Sequence, residues 1–289
     1  MSRSLTGLSK TQQWLTHLVL LILCLPFMAP LLWMISTSLK EDAQIFPRDG
    51  DSLSPLAAEN LIPSPVAWHN YSDALQAVPF MTYMGNTMVL CVLNVCAAVL
   101  SSAIVAYGFS RLNFRFREGL FVVLLMSMAL PGQVTMIPQF LLFSELGWYG
   151  TLLPLIIPSF FGVPFFIFLL RQFFMTIPEE LLEAARLEGA SEWQILWQVV
   201  FPLSKPALAT CALFQFLHTW NDFFGPLIYL NNPEHYTLAY GLQQFLSSYG
   251  GQWAQLMAAS TMFIAPVIVL FFLTQKTFIQ GIATTGSKG

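Results

Sequence analysis

Six runs of about 20 or more mainly apolar residues, each bounded by charge, Gly or Pro, recur along the 289-residue chain. A bilayer hydrocarbon core about 30 Å thick needs that length of helix to cross it. The runs fall at Trp14 to Leu39, Tyr83 to Gly108, Leu120 to Ser144, Thr151 to Met175, Ala207 to Leu230 and Ala254 to Gln275. They predict an all-α polytopic membrane protein with six transmembrane helices. Only 9% of residues are charged, against about 25% in soluble domains, which excludes a water-soluble globule. The net charge of −3 leaves no basic excess to neutralise phosphates, so no nucleic-acid partner is expected. Cys24, Cys91, Cys96 and Cys211 lie in apolar stretches without metal-ligand spacing and are read as small buried hydrophobes, with no metal site. Pro26, Pro30, Pro131, Pro138, Pro154, Pro158, Pro164, Pro226 and Pro266 fall inside the runs, so kinked helices around a pathway are expected.

The first run follows Arg3 and Lys10 as a signal peptide would, but it is too long for an h-region and no A-x-A-like site follows. A retained anchor is expected. L-I-L-C, ending at Cys24, lacks the small residue that precedes a lipidated cysteine. Placing the N-terminus in the cytoplasm puts ten basic residues inside (Arg3, Lys10, Arg111, Arg115, Arg117, Arg171, Arg186, Lys205, Lys276 and Lys288) and two, Lys40 and Arg48, outside. The positive-inside rule therefore predicts both termini in the cytoplasm. The layout is a cytoplasmic N-terminus at 1–13, a transmembrane domain at 14–275 and a cytoplasmic tail at 276–289. The domain includes an extracytoplasmic loop at 40–82 and a cytoplasmic loop at 176–206. The outer segment carries Glu41, Asp42, Asp49, Asp51, Glu59 and Asp73, and with I-P-S-P-V it reads as an irregular loop.

The loop from Thr176 to Pro206 reads as two short helices. Pro178 suits a first helical position, Glu179 and Glu180 place negative charge at the positive end of the dipole, and Gly189 supplies the stop. Ser191 and Gln194 form a capping box for the second helix, which Pro202 and Pro206 end. Leu181, Leu182, Ala184 and Ala185 give the first helix an apolar, small-residue surface beside Glu179, Glu183, Arg186 and Glu188. An amphipathic helix on the bilayer is one reading. Interfacial helices favour Lys and Arg, whereas this one is rich in Glu, so a protein partner is the better reading.

E-A-A-R-L-E-G at Glu183 to Gly189, nine further residues, then V-V-F-P at Val199 to Pro202 resembles the EAA loop of bacterial ABC importer permeases, E-A-A-x3-G-x9-I-x-L-P. Val199 and Phe201 stand for the usual Ile and Leu. R-Q-F-F-M-T-I-P, W-N-D-F-F-G-P-L-I-Y-L and Q-K-T-F-I-Q-G-I resemble the binding-protein-dependent subgroup for carbohydrate uptake, similar to the maltose and glycerol-3-phosphate permease subunits. The resemblance implies an ABC importer permease fold in the bacterial inner membrane, with Glu183, Ala184, Ala185 and Gly189 on a coupling helix that docks on a separate ATPase. It also implies a second permease subunit, two ATPase subunits that bind ATP and Mg, and an extracytoplasmic solute-binding protein. Independently of the resemblance, none of the five lysines follows a glycine. No P-loop is present, and ATP hydrolysis on this chain by that route is not expected.

Within the fifth run Gln215, His218 and Asp222 recur at i, i+3 and i+7 and would share a helix face, with Asn221 beside it. A carboxylate near the bilayer centre costs about 2.5 to 3.5 kcal/mol on insertion scales and should face the bundle interior, a partner or water. Gln215, His218, Asn221 and Asp222 either line a substrate route, with Trp220 stacking on a sugar face, or form an interhelical hydrogen-bond network. Of these, Asp222 is the one most suspected of structural duty. Asn86, Asn94, Gln133 and Gln139 are weaker pathway candidates. No Lys or Arg lies deep in a run, which favours a neutral sugar or polyol over glycerol-3-phosphate. A stand-alone secondary transporter should show related halves with paired broken helices, and an intramembrane enzyme a nucleophile beside one of the dispersed histidines. Neither rival accounts for the acidic two-helix loop.

Overall fold

The computed structural model describes residues 9–46, 61–247 and 250–286. The chain divides into two compact units, one from Met1–Pro79 and Leu242–Ala265, the other from Phe80–Gly241 and Pro266–Gly289. It is all-α. Among the described residues, strand pairing is confined to Leu246–Ser247 against Gly250–Gly251.

In the first unit α1 (Lys10–Ser38) is opened by a Ser9–Gln12 capping box and runs through Pro26 and Pro30 without ending. Asn70, on α2 (His69–Ala77), donates to the carbonyls of Ser38 and Lys40 at 2.9 and 2.8 Å. The Ser38 and Tyr71 hydroxyls lie 2.8 Å apart. Part of the segment expected to be irregular is thus helical, because Asn70 and Tyr71 tie it to the end of α1. Arg3, Arg48, Asp49, Asp51, Glu59 and Lys288 lie outside the described residues.

The second unit is built around α3 (Phe80–Arg111). Four helical stretches are long and apolar enough to cross a bilayer: α1, α3, Leu153–Phe174 and Trp253–Gln275, the last part of α10 (Trp253–Gly286). Two bent pairs bring the number to six if each is one span. The third run is not a single rod: α4 (Arg117–Ser127) and α5 (Gly132–Glu145) meet at 96°. Pro131, extended at the start of α5, is incompatible with continuing the helix before it. The fourth run contains a 3₁₀ turn, Ile157–Phe161, and Gly162 with φ +83° before α6 (Pro164–Phe174). The fifth is α8 (Lys205–Trp220), a break at Asn221–Phe223, and α9 (Phe224–Tyr229).

Ala98, Ala103 and Ala106 of α3 are fully buried. Their small side chains let α6 and α8 approach the α3 backbone, the usual basis of helix association in lipid. Phe166, Leu170 and Phe174 of α6 and Cys211 of α8 complete this core, which continues without interruption into Leu182, Ile195, Leu196 and Val200 of the two-helix loop. Cys91 is also buried, while Cys24 and Cys96 lie on exposed faces, against expectation.

Candidate functional site

The loop folds as two helical segments. Its first helix, α7 (Glu179–Leu187), starts one residue later than expected, with Pro178 as N-cap. Glu179 and Glu180 in the first turn and Arg186 in the last complement the helix dipole. The helix ends in a Schellman motif: the Gly189 N–H donates to Arg186 O and the Ala190 N–H to Ala185 O, both at 3.0 Å. That geometry needs a left-handed residue, and Gly189 supplies it at φ +87°. The Ser191–Gln194 capping box opens Glu192–Ile195 as expected. The second segment does not stop at Pro202. A π turn over Leu196–Val200, closed by Phe201 N–H to Leu196 O, carries it through Phe201–Leu203 to Ser204, and Pro206 instead opens α8 after an 81° bend.

Leu182 anchors α7 in the core while Glu183, Ala184, Leu187 and Gly189 are exposed and Ala185 is half-buried. Ion pairs hold the loop to the end of α3. Arg111 pairs with Glu179 and donates to the carbonyls of Phe174 and Ile177. Arg186 reaches Glu179 and Glu192, each at 3.0 Å, and the Tyr107 hydroxyl donates to Glu192. Burial alone would raise the Glu192 carboxyl, but the hydrogen bonds from Tyr107 and Arg186 outweigh it and leave it below its ordinary range. Sequence reasoning missed Tyr107 and Arg111, whose partners lie far along the chain.

A cavity of about 260 Å³ within the second unit is lined by Asn94 of α3, Gln139 of α5, Gln215, His218 and Thr219 of α8, and Asp222, together with Leu90, Phe143, Leu155 and Tyr229. No Lys or Arg is among the described lining residues. A neighbouring cavity shares Pro158, Ser159, Gln215 and His218 as a common wall. Gln215, His218 and Asp222 thus come together, although α8 ends at Trp220 and Asp222 enters from the break that follows. Asp222 Oδ1 also accepts from the Gly225 N–H at 3.0 Å, shaping the turn into α9. A Cβ on Gly225 would lie 2.4 Å from Asp222 Oδ2, so a larger residue there would push the Asp222 carboxylate from its place.

Two candidates stand apart. Trp220 is fully buried and stacks on Phe216 with centroids 5.4 Å apart, so it offers no face to a sugar in this conformation. Asn221 donates to its own helix at Leu217 O, 2.7 Å away, and does not line the cavity. Asn86 fastens α3 to the carbonyls of Glu234 and Tyr236 at 2.7 and 3.0 Å, and Gln133 is exposed outside the lining.

The broken fourth span exposes backbone groups that lipid cannot satisfy, and polar side chains of α3 satisfy them. Asn94 donates to Leu155 O at 2.9 Å, Ser101 to Ser159 O at 3.1 Å, and Ser102 accepts from the Val163 N–H at 2.9 Å. Prolines in one run facing Asn and Ser in another are the sequence signal for this arrangement.

The sequence profile of the family described as "Binding-protein-dependent transport system inner membrane component" matches residues 98–284. The chain belongs to that family. It is 33% identical over 261 residues to the probable ABC transporter permease protein YurM of Bacillus subtilis, covering 90% of this chain and 83% of YurM. It is 31% identical over 277 residues to the arabinooligosaccharides transport system permease protein AraQ of the same species, covering 94% of both. Identity to the sn-glycerol-3-phosphate transport system permease protein UgpE of Yersinia pestis is 30% over 274 residues, covering 92% of this chain and 94% of UgpE. A chain in the crystal structure of a bacterial ABC transporter involved in the import of the acidic polysaccharide alginate superposes with a TM-score of 0.78 at 27% identity, covering 94% of this chain and 99% of that one. Family and fold make the permease a multi-pass, all-α membrane subunit of an ABC importer.

Proposed function

We propose that the permease moves a neutral sugar or polyol across the bacterial inner membrane by alternating access. It pairs with a second permease subunit, while two separate ATPase subunits bind ATP and Mg and an extracytoplasmic binding protein delivers the solute. Glu183, Ala184, Ala185 and Gly189 dock on the ATPase. The observation that carries this reading is the stance of α7, anchored by Leu182 with Glu183, Ala184 and Gly189 turned outward and Ala185 packed at the edge of the core. Both termini are cytoplasmic, an orientation supported by Arg111, Arg117, Arg171 and Arg186, which gather with their acidic partners at the loop end of the second unit.

For the solute, the cavity offers amides, an imidazole and a carboxylate, which hydrogen-bond hydroxyls, and no Lys or Arg among its described lining residues to balance a phosphate. The named substrates of relatives include both arabinooligosaccharides and sn-glycerol-3-phosphate. A panel of neutral sugars, polyols and glycerol-3-phosphate should be tested for ATPase stimulation in the reconstituted importer with its binding protein. Stimulation by a neutral member is expected. Response to glycerol-3-phosphate with none to any neutral compound would overturn the preference.

A further inference from the structure

We infer that Tyr107 and Arg111, one turn apart on α3, are positioning residues that carry the motion of α7 to the cavity wall; this rests on the docking reading above. The contacts form a ring. Tyr107 donates to one oxygen of Glu192, whose other oxygen accepts from Arg186; Arg186 in turn reaches one oxygen of Glu179, whose other oxygen meets Arg111. The ring therefore grips α7 near both ends, at Glu179 and Arg186, and closes on a single helix. Leu182, between the two grips, is fully buried.

The covalent routes out of the loop are jointed. Toward α8 the chain passes a π turn at Leu196–Val200 and then an 81° bend. Toward α6 it passes the turn at Met175–Pro178. By contrast α3 is one helix of 32 residues with no internal proline, and the same helix places Leu90 and Asn94 in the cavity lining. Asn94 lies about 20 Å along the axis from Tyr107 at 1.5 Å per residue. A displacement delivered to the ring thus reaches the cavity through an unbroken helix, whereas the covalent paths can flex.

The test uses the complete importer in proteoliposomes, with the permease's four native cysteines replaced and Leu90→Cys as reporter. Labelling by a membrane-impermeant maleimide is compared without nucleotide and after vanadate trapping with ATP. The parent should show a change of several-fold. Tyr107→Phe and Glu192→Gln should keep the ATPase subunits bound and turning over within about twofold, yet lose that change. Arg111→Ala is avoided because Arg111 also caps the Phe174 and Ile177 carbonyls. A parent-like labelling change in both variants would overturn the proposal, as would no change in the parent or release of the ATPase by Tyr107→Phe. Gly189→Asp in the same assay separates the two readings. If it sheds the ATPase while the ring variants behave as the parent, only the relay fails; if it retains both ATPase and labelling change, docking itself fails.

Discussion

Replacing Gly189 with Asp is expected to leave the permease inserted in the membrane, release the ATPase subunits and abolish uptake. Gly189 holds φ +87° at the Schellman end of α7, a region that costs an ordinary L residue about 1 to 2 kcal/mol. Nothing lies within 4 Å of a Cβ built there, so a Cβ at this position meets open space and points toward the proposed docking surface. Asp tolerates the left-handed region better than most residues; the larger effect is a new negative charge next to Glu188, on the surface proposed to fit the ATPase. Co-purification of the ATPase subunits with the permease should fall at least tenfold, with uptake falling alongside. Gly189→Ala, which brings the strain without the charge, should lose less. Normal assembly and transport in Gly189→Asp would count against the assignment of this surface.

Asn94→Leu should lower both stability and transport. Asn94 is buried, and its amide supplies the hydrogen bond to Leu155 O in the broken fourth span. Leucine has similar bulk but cannot donate, so a carbonyl at membrane depth loses its partner, at about 1 to 3 kcal/mol. Gln139→Leu is the matched comparison: it changes the same cavity wall, but Gln139 is exposed and no carbonyl is assigned to it. Thermal inactivation of the purified importer should shift to lower temperature in Asn94→Leu and not in Gln139→Leu, while solute-stimulated ATPase activity should fall in both. Equal thermal stability of the two variants would show that the Leu155 carbonyl does not depend on Asn94.

The sequence made the apolar spans and the loop legible because both are written in local terms. Length and hydropathy mark a stretch that belongs in lipid, and the Ser191–Gln194 box and Gly189 are short-range signals whose partners lie three or four residues away. Pro131, Pro154 and Pro158 announced kinks in these runs, but hydropathy does not report the direction of a helix axis, so neither the 96° angle between α4 and α5 nor the 3₁₀ turn before Gly162 could be read from it. The polar face of the fifth run was half legible. Helical spacing placed Gln215 and His218 together, but it could not foresee that α8 stops at Trp220 and that Trp220 turns onto Phe216. The ring around α7 was invisible because Tyr107 and Glu192 are 85 residues apart and Arg111 and Glu179 are 68 apart. Only the packing of α3 against the loop brings them into reach.

A photoreactive residue at position 187, where Leu187 is 90% exposed on the outward side of α7, provides the most direct measurement. In membranes holding the intact importer, illumination should join the permease to an ATPase subunit. Adducts confined to phospholipid, with the ATPase subunits present and uncoupled from this position, would contradict the account.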